Sequence, residues 1–239
     1  MSGPRVTSGS ESAQDYATPD SLIKKVAKRF GPISFDLAAH SKNKKHPRYF
    51  APTHFTETLE QNLEIETYQG RPIDGTEVDG VSISFVKFDK KKKLYVYEKK
   101  TRNTDPEAYA FDAFAHSWAD LSRKFGGEHP NGAAHLWLNC EFGDIPSWSR
   151  RCLEEGKKGA NITLLTPMTT ANWFRDNIAG RADAYMLSGR LSFDGKNVFP
   201  KDCLVSRYGP TTNGGDLYLW DWQEDIIRAA WSKDALPVG

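Results

Sequence analysis

Residues 135–148, HLWLNCEFGDIPSW, bring together the residue types in this chain best suited to chemistry. HLWL reads as a short buried strand. Asn139, Cys140, Glu141 and Phe142 stand in a row where it stops, ahead of a turn and a helix with Pro146 in its first turn. Open α/β sheets hold ligands outside the carboxyl ends of their strands, so a site belongs at such a place. A cysteine is a nucleophile once ionised, and a neighbouring carboxylic acid is a proton donor or hydrogen-bonding group. A buried free cysteine is otherwise a small hydrophobe, and that reading competes with the first.

The elements that must position these residues follow from periodicity. Residues 1–15 are Ser/Gly-rich and polar, a flexible arm. In TPDSLIKKVAKRFG, Thr18 or Asp20 is expected to cap a helix with Leu22, Ile23, Val26, Ala27 and Phe30 at helical spacing, ended by Gly31. ISFDLAAHS predicts a strand, Ile33 to Phe35, running into Asp36 and a small-residue turn. Residues 55–110 read as an insertion, in which VSISFVKF and KLYVYEKK form a hairpin with the basic tip DKKKK. AYAFDAFAHSWADLSRKFGG predicts a helix, HLWL a strand, PSWSRRCLEEGKKG a helix, and ANITLLTP a strand. TTANWFRDNIAG predicts a helix capped by Thr169 or Thr170. ADAYMLSGRLSF reads as a strand pair or a strand bent at Gly189, with Arg190 mid-strand; CLVSRYG and DLYLWDW are strands, and QEDIIRAAWSK a terminal helix. This alternation implies an α/β domain over 16–239 with a mainly parallel sheet and helices on its faces.

The 239 residues suffice for one large domain or a domain with an insertion. A formal charge of +1 excludes a uniformly cationic coat but not a local basic face. Aromatic residues make up 12% of the chain, enough for stacking surfaces as well as core. Cys140, Cys152 and Cys203 are odd in number and lack C-x-x-C spacing, which argues against a disulfide framework or a zinc site and for a reducing context. The histidines show no metal-ligand spacing, so no metal is expected. MSGPRVTSGSESAQD lacks the apolar centre of a signal peptide, and no apolar run approaches the ~18 residues of a membrane span. The expectation is a cytoplasmic protein with no membrane partner.

TPDSLIKKVAKRFGPISFDLAAHSKNKKHPRYF resembles the opening of the phage-type DNA adenine-N6 methyltransferases, the Dam-like family. FDAFAHSW, ITLLTPMTTANWF and YMLSGRLSF resemble later segments of that family, in the same order over roughly two-thirds of the chain. The resemblance implies a Rossmann-like methyltransferase fold, S-adenosyl-L-methionine as donor, and a DNA base flipped into a pocket in the (host) cytoplasm. It also implies that the 55–110 insertion recognises DNA. It implies a cofactor side formed by Thr18, Pro19 and Asp36, with Ala38 and Ala39 allowing close approach; Asp36 alone reads equally as a turn cap. Where the family carries Asn-Pro-Pro-Tyr, this chain has Asn139, Cys140, Glu141 and Phe142. The family's Asn oxygen and the next backbone carbonyl accept hydrogen bonds from the target amine, and the aromatic ring stacks on the base.

Three readings follow. The chain methylates an exocyclic amine; or Cys140 adds to a pyrimidine ring with Glu141 as acid, as a thymine hypermodification transferase would; or the fold binds DNA without catalysis. Basic residues cluster at 42–48 and 90–102. Lys44, Lys45, Arg48, Lys91, Lys92 and Arg190 are candidate DNA contacts, with solvated loop tips the competing reading. Tyr49 is a candidate stacking residue or a loop anchor. Trp173 and Phe174 fall near the active face or pack a helix on the sheet.

Overall fold

Helix α1 (Asp20–Phe30) lays Leu22 and Val26, both fully buried, onto the sheet. The carbonyl of Pro19 accepts from Leu22 N at 3.0 Å and from Ile23 N at 3.2 Å, so backbone does the capping expected of Thr18 or Asp20. Asp20 in the first turn and Lys28 and Arg29 in the last complement the helix dipole, and Gly31, at φ 97°, ends it. The structure is a computed structural model that describes residues 17–61, 67–68, 71–128, 132–193, 197–210, 212 and 214–231. The N-terminal arm lies outside the described residues.

After α1 come, in chain order, β1 (Ile33–Asp36), β2 (Phe50–Ala51), β3 (His54–Gln61), β4 (Thr67–Tyr68), β5 (Arg71–Pro72), β6 (Val81–Asp89) and β7 (Leu94–Arg102). Then follow β8 (Ala110–Phe111), α2 (Trp118–Lys124), β9 (His135–Leu138), α3 (Ile145–Lys157), β10 (Asn161–Pro167) and α4 (Asn172–Asn177). The chain continues through β11 (Asp183–Leu187), β12 (Cys203–Tyr208), β13 (Leu217–Asp221) and β14 (Ile226–Trp231). The chain divides into two compact units: residues 52–106, and the described residues on either side of them.

The larger unit is mixed α/β around one seven-stranded sheet of order β1-β9-β10-β12-β11-β13-β14. Pairs β1/β9, β9/β10 and β11/β13 are parallel; β10/β12, β12/β11 and β13/β14 are antiparallel. Five strands therefore share one direction, and β12 and β14 run against them. Alternate side chains serve opposite faces. Leu136, Leu138, Ile162 and Leu164 join a core with α2 and α3, while Trp137 and Leu165 join the core under α1. Helices thus cover both faces.

In the 52–106 unit, β3, β7 and β6 form an antiparallel sheet, and β6 and β7 are the expected hairpin. Its turn is closed by Asp89, whose carboxylate accepts from Lys91 N and Lys92 N, and by Lys93 at φ 56°.

Three sequence expectations are corrected. The helix expected over 108–127 is confined to α2, because Asp112 adopts φ 57° and accepts from Phe114 N, and Ser117 then caps a new start. The terminal helix is instead β14, pairing with the edge of β13; Asp225 turns the chain at φ 61° and is gripped by Lys28 and Arg29. Sheet pairing outweighs the local helical pattern there. Arg190 is not mid-strand: β11 ends at Leu187, and Gly189, at φ 85°, turns the chain into a loop.

Candidate active site at the carboxyl edge of the sheet

Two residues separate α1 from β1, so the start of α1 returns to the carboxyl end of β1. Lys45 ties the two together. Its ammonium pairs with Asp20 at 2.7 Å, and its backbone N–H binds Asp36 Oδ2 at 2.8 Å. Asp36 Oδ1 accepts from Ala38 N at 3.3 Å. The carboxylate is 2% exposed, and burial pushes its pKa up to about 7, against the opposing effect of these N–H groups. Asp36 therefore organises its loop first; any ligand would use its remaining lone pairs. Ala38 packs on one core and Ala39 is buried beside Tyr49 and Ala51.

One strand over, Leu37 N binds Trp137 O, and Asn139 follows directly after β9. Asn139 is half-buried, Glu141 exposed and Phe142 half-buried. The carbonyl of Glu141 accepts from Asp144 N, forming the turn into α3. The Phe142 ring lies 5.5 Å from that of Phe199 and 6.2 Å from that of Phe193, both on the loop joining β11 to β12. Two further hydroxyls, Thr18 Oγ1 before α1 and Thr166 Oγ1 near the end of β10, are buried with no hydrogen-bond partner among the described residues.

Cys140 is corrected as a nucleophile. It is 3% exposed within the apolar cluster that also holds Leu138, Ile145 and Cys152. Burial, with Asp144 and Glu141 adding repulsion, pushes its thiol far above the ordinary cysteine range. Cys152 and Cys203 are buried too.

Compared with protein-family models, curated proteins and solved structures, the chain has no match.

The expected nucleic-acid contacts divide. Tyr49 is fully buried and is a loop anchor, not a stacking surface. Lys44 pairs with Glu107 and lies 5.2 Å from the Tyr49 ring; Lys45 pairs with Asp20. Arg48 is exposed, its guanidinium 4.5 Å from the Phe125 ring. Arg190, in its loop, pairs with Asp202 at 3.6 Å. In the other unit, Lys92 pairs with Glu60 while Lys91 is exposed. Trp173 and Phe174 pack against the core at the start of α4. Sequence reasoning passed over Phe199 and Thr166 as site residues. Two phenylalanines, Phe193 and Phe199, six residues apart in one loop were the available signal for the first; a hydroxyl inside an apolar strand was the signal for the second. Among the described residues, no group of three or more His, Cys, Asp or Glu is placed to hold a metal. No helix among them is long and apolar enough to cross a membrane.

Proposed function

We propose that this edge is the site of a DNA-base-modifying group transferase, and that the reaction is S-adenosyl-L-methionine-dependent methylation of an exocyclic amine, adenine N6. One observation carries the reading: Asn139 and Phe142, three residues apart at the end of an inner parallel strand, are both half-buried, beside loops bearing Asp36 and the Phe193–Phe199 pair. Sequence resemblance to the Dam-like methyltransferases supports it. So does the sheet, whose antiparallel β12 slotted between β10 and β11 is compatible with a Rossmann-like methyltransferase fold.

The residues fit the donor. Thr18 Oγ1 is a buried hydroxyl with no partner among the described residues at the start of α1, and Asp36 is a buried acid that a cationic ligand would draw into its charged form. Thr18, Pro19 and Asp36 would hold it, and when bound it supplies an electrophilic methyl group. The chain's own part is positioning. The Asn139 side-chain oxygen and the Cys140 carbonyl accept the hydrogens of the target amine, which aims the nitrogen lone pair. Phe142 stacks on the flipped base, a contact worth about 1–3 kcal/mol. Glu141 is exposed.

The burial of Cys140 in the apolar cluster weighs against the pyrimidine reading. Nucleoside mass spectrometry of DNA from cells expressing the protein tests the proposal. N6-methyladenine is expected with the wild-type chain and not with Asn139→Ala. A bulky thymine adduct, or unmodified DNA, overturns it.

A further inference from the structure

The 52–106 unit carries a surface of its own. Strand register sets Phe88 level with Tyr95, and Phe85 level with Tyr97 and Leu59, on one face of the β3–β7–β6 sheet, with Phe55 on the same face at its far end. Tyr97 is fully buried, yet Phe85, Phe88 and Phe55 keep 42%, 43% and 44% of their surface exposed. Large apolar rings left half in water on a small sheet are costly, and such patches mark binding surfaces. The Tyr95 ring braces two of them, at 6.1 Å from Phe85 and 5.0 Å from Phe88. A register shift between Phe85 and Lys87 bulges the strand and leaves Val86 51% exposed.

Next to Phe88 the chain turns through Lys90, Lys91 and Lys93. None of these three has a carboxylate within ion-pair distance among the described residues, whereas Lys92, Lys99, Lys100 and Arg102 pair with Glu60, Glu57, Glu98 and Glu77. Flat rings bordered by ammonium groups with no carboxylate partner among the described residues match a strand whose bases are unpaired and whose phosphates lie alongside. A duplex hides its base faces and has nothing to set on the rings.

We propose that this face binds single-stranded DNA, with bases stacked on Phe85, Phe88 and Tyr95 and phosphates on Lys90, Lys91 and Lys93. The choice of DNA rests on the proposed function above; the stacking surface does not. The test is fluorescence anisotropy of the full chain with a labelled oligothymidylate, a duplex of equal length, and anionic lipid vesicles. The single strand is expected to bind more tightly than the duplex. Phe85→Ala/Phe88→Ala should weaken it by about tenfold or more. Lys90→Glu/Lys91→Glu/Lys93→Glu should reduce the slope of log affinity against log salt by about 2, at ~0.7 for each lost phosphate contact. Equal or tighter duplex binding overturns the proposal, as does undiminished single-strand binding by both variants, or binding to vesicles in place of oligonucleotide. Asn139→Ala separates the two ideas. Lost base modification with oligonucleotide binding intact spares the surface. Intact modification with no effect of the Phe or Lys variants spares the catalytic reading alone.

Discussion

The Asp36 carboxylate accepts the backbone N–H of Lys45, nine residues ahead, at 2.8 Å. That bond folds the loop after β1 back onto the strand end, and its buried acid carries a pH signature. The folded pKa, raised to about 7, lies above the unfolded value of about 3.9. The folded state therefore holds a proton that the unfolded state has released. Its contribution is complete below about pH 4 and is lost as pH rises through about 7. Denaturation midpoints measured from pH 5 to pH 8 should fall for the wild type relative to Asp36→Asn, with the change complete just above neutrality. Parallel curves would remove the buried titration.

The cysteines make a second prediction. All three are buried, so iodoacetamide should label none in native protein and all three after denaturation. Cys140→Ala should retain base modification. Rapid native labelling of Cys140 would restore the thiol chemistry set aside above.

Phe142→Ala should raise KM for DNA about tenfold or more while leaving the melting temperature within a few degrees, because its ring is half-buried in a loop cluster. A KM equal to that of wild type would mean that the ring only braces Phe193 and Phe199.

Glu155 has a fully buried side chain. Its carboxylate accepts from Ala119 N at 2.9 Å, joining α3 to the first turn of α2, and pairs with Lys158 at 2.8 Å and Arg151 at 3.3 Å. Glu155→Ala should destabilise the fold by about 1–3 kcal/mol, chiefly by orphaning the buried Ala119 N–H, read as a shifted urea midpoint at unchanged m-value.

The chain enters and leaves the 52–106 unit at two points that are hydrogen-bonded to each other. Asn103 N donates to Thr53 O at 2.8 Å, and Asn103 Nδ2 to Pro52 O at 2.9 Å. Replacing residues 54–102 by a short Gly/Ser linker should leave the seven-stranded unit folded, with cooperative thermal unfolding and native circular dichroism. Loss of cooperativity would show that the two units depend on each other for stability.

The sequence was most legible where one period dominated. The apolar stripe of α1, the run Ile162 to Leu165 and the alternation of β6 and β7 each define an element unaided. It was least legible where long-range pairing decided the outcome. Ile226 to Trp231 has helical spacing, but the edge of β13 and the grip of Lys28 and Arg29 on Asp225 make it a strand. In the site, the strand-end row was legible because its type pattern is local. The burial of Cys140 was not, since it depends on what α3 and β10 place around it. Tyr49 misled in the same way: an aromatic beside lysines reads as a stacking residue until the fold closes over it.

One consequence of the strand order concerns the chain as it is made. β10 lies between β9 and β12, and every residue of β10 and β12 is buried. β12 is also the neighbour of β11, yet it is translated after both. Until Cys203–Tyr208 leave the ribosome, β10 and β11 have facing edges with no strand between them, an invitation to wrong partners. Slow codons placed before that segment should lower soluble yield, and co-expressed chaperones should restore it.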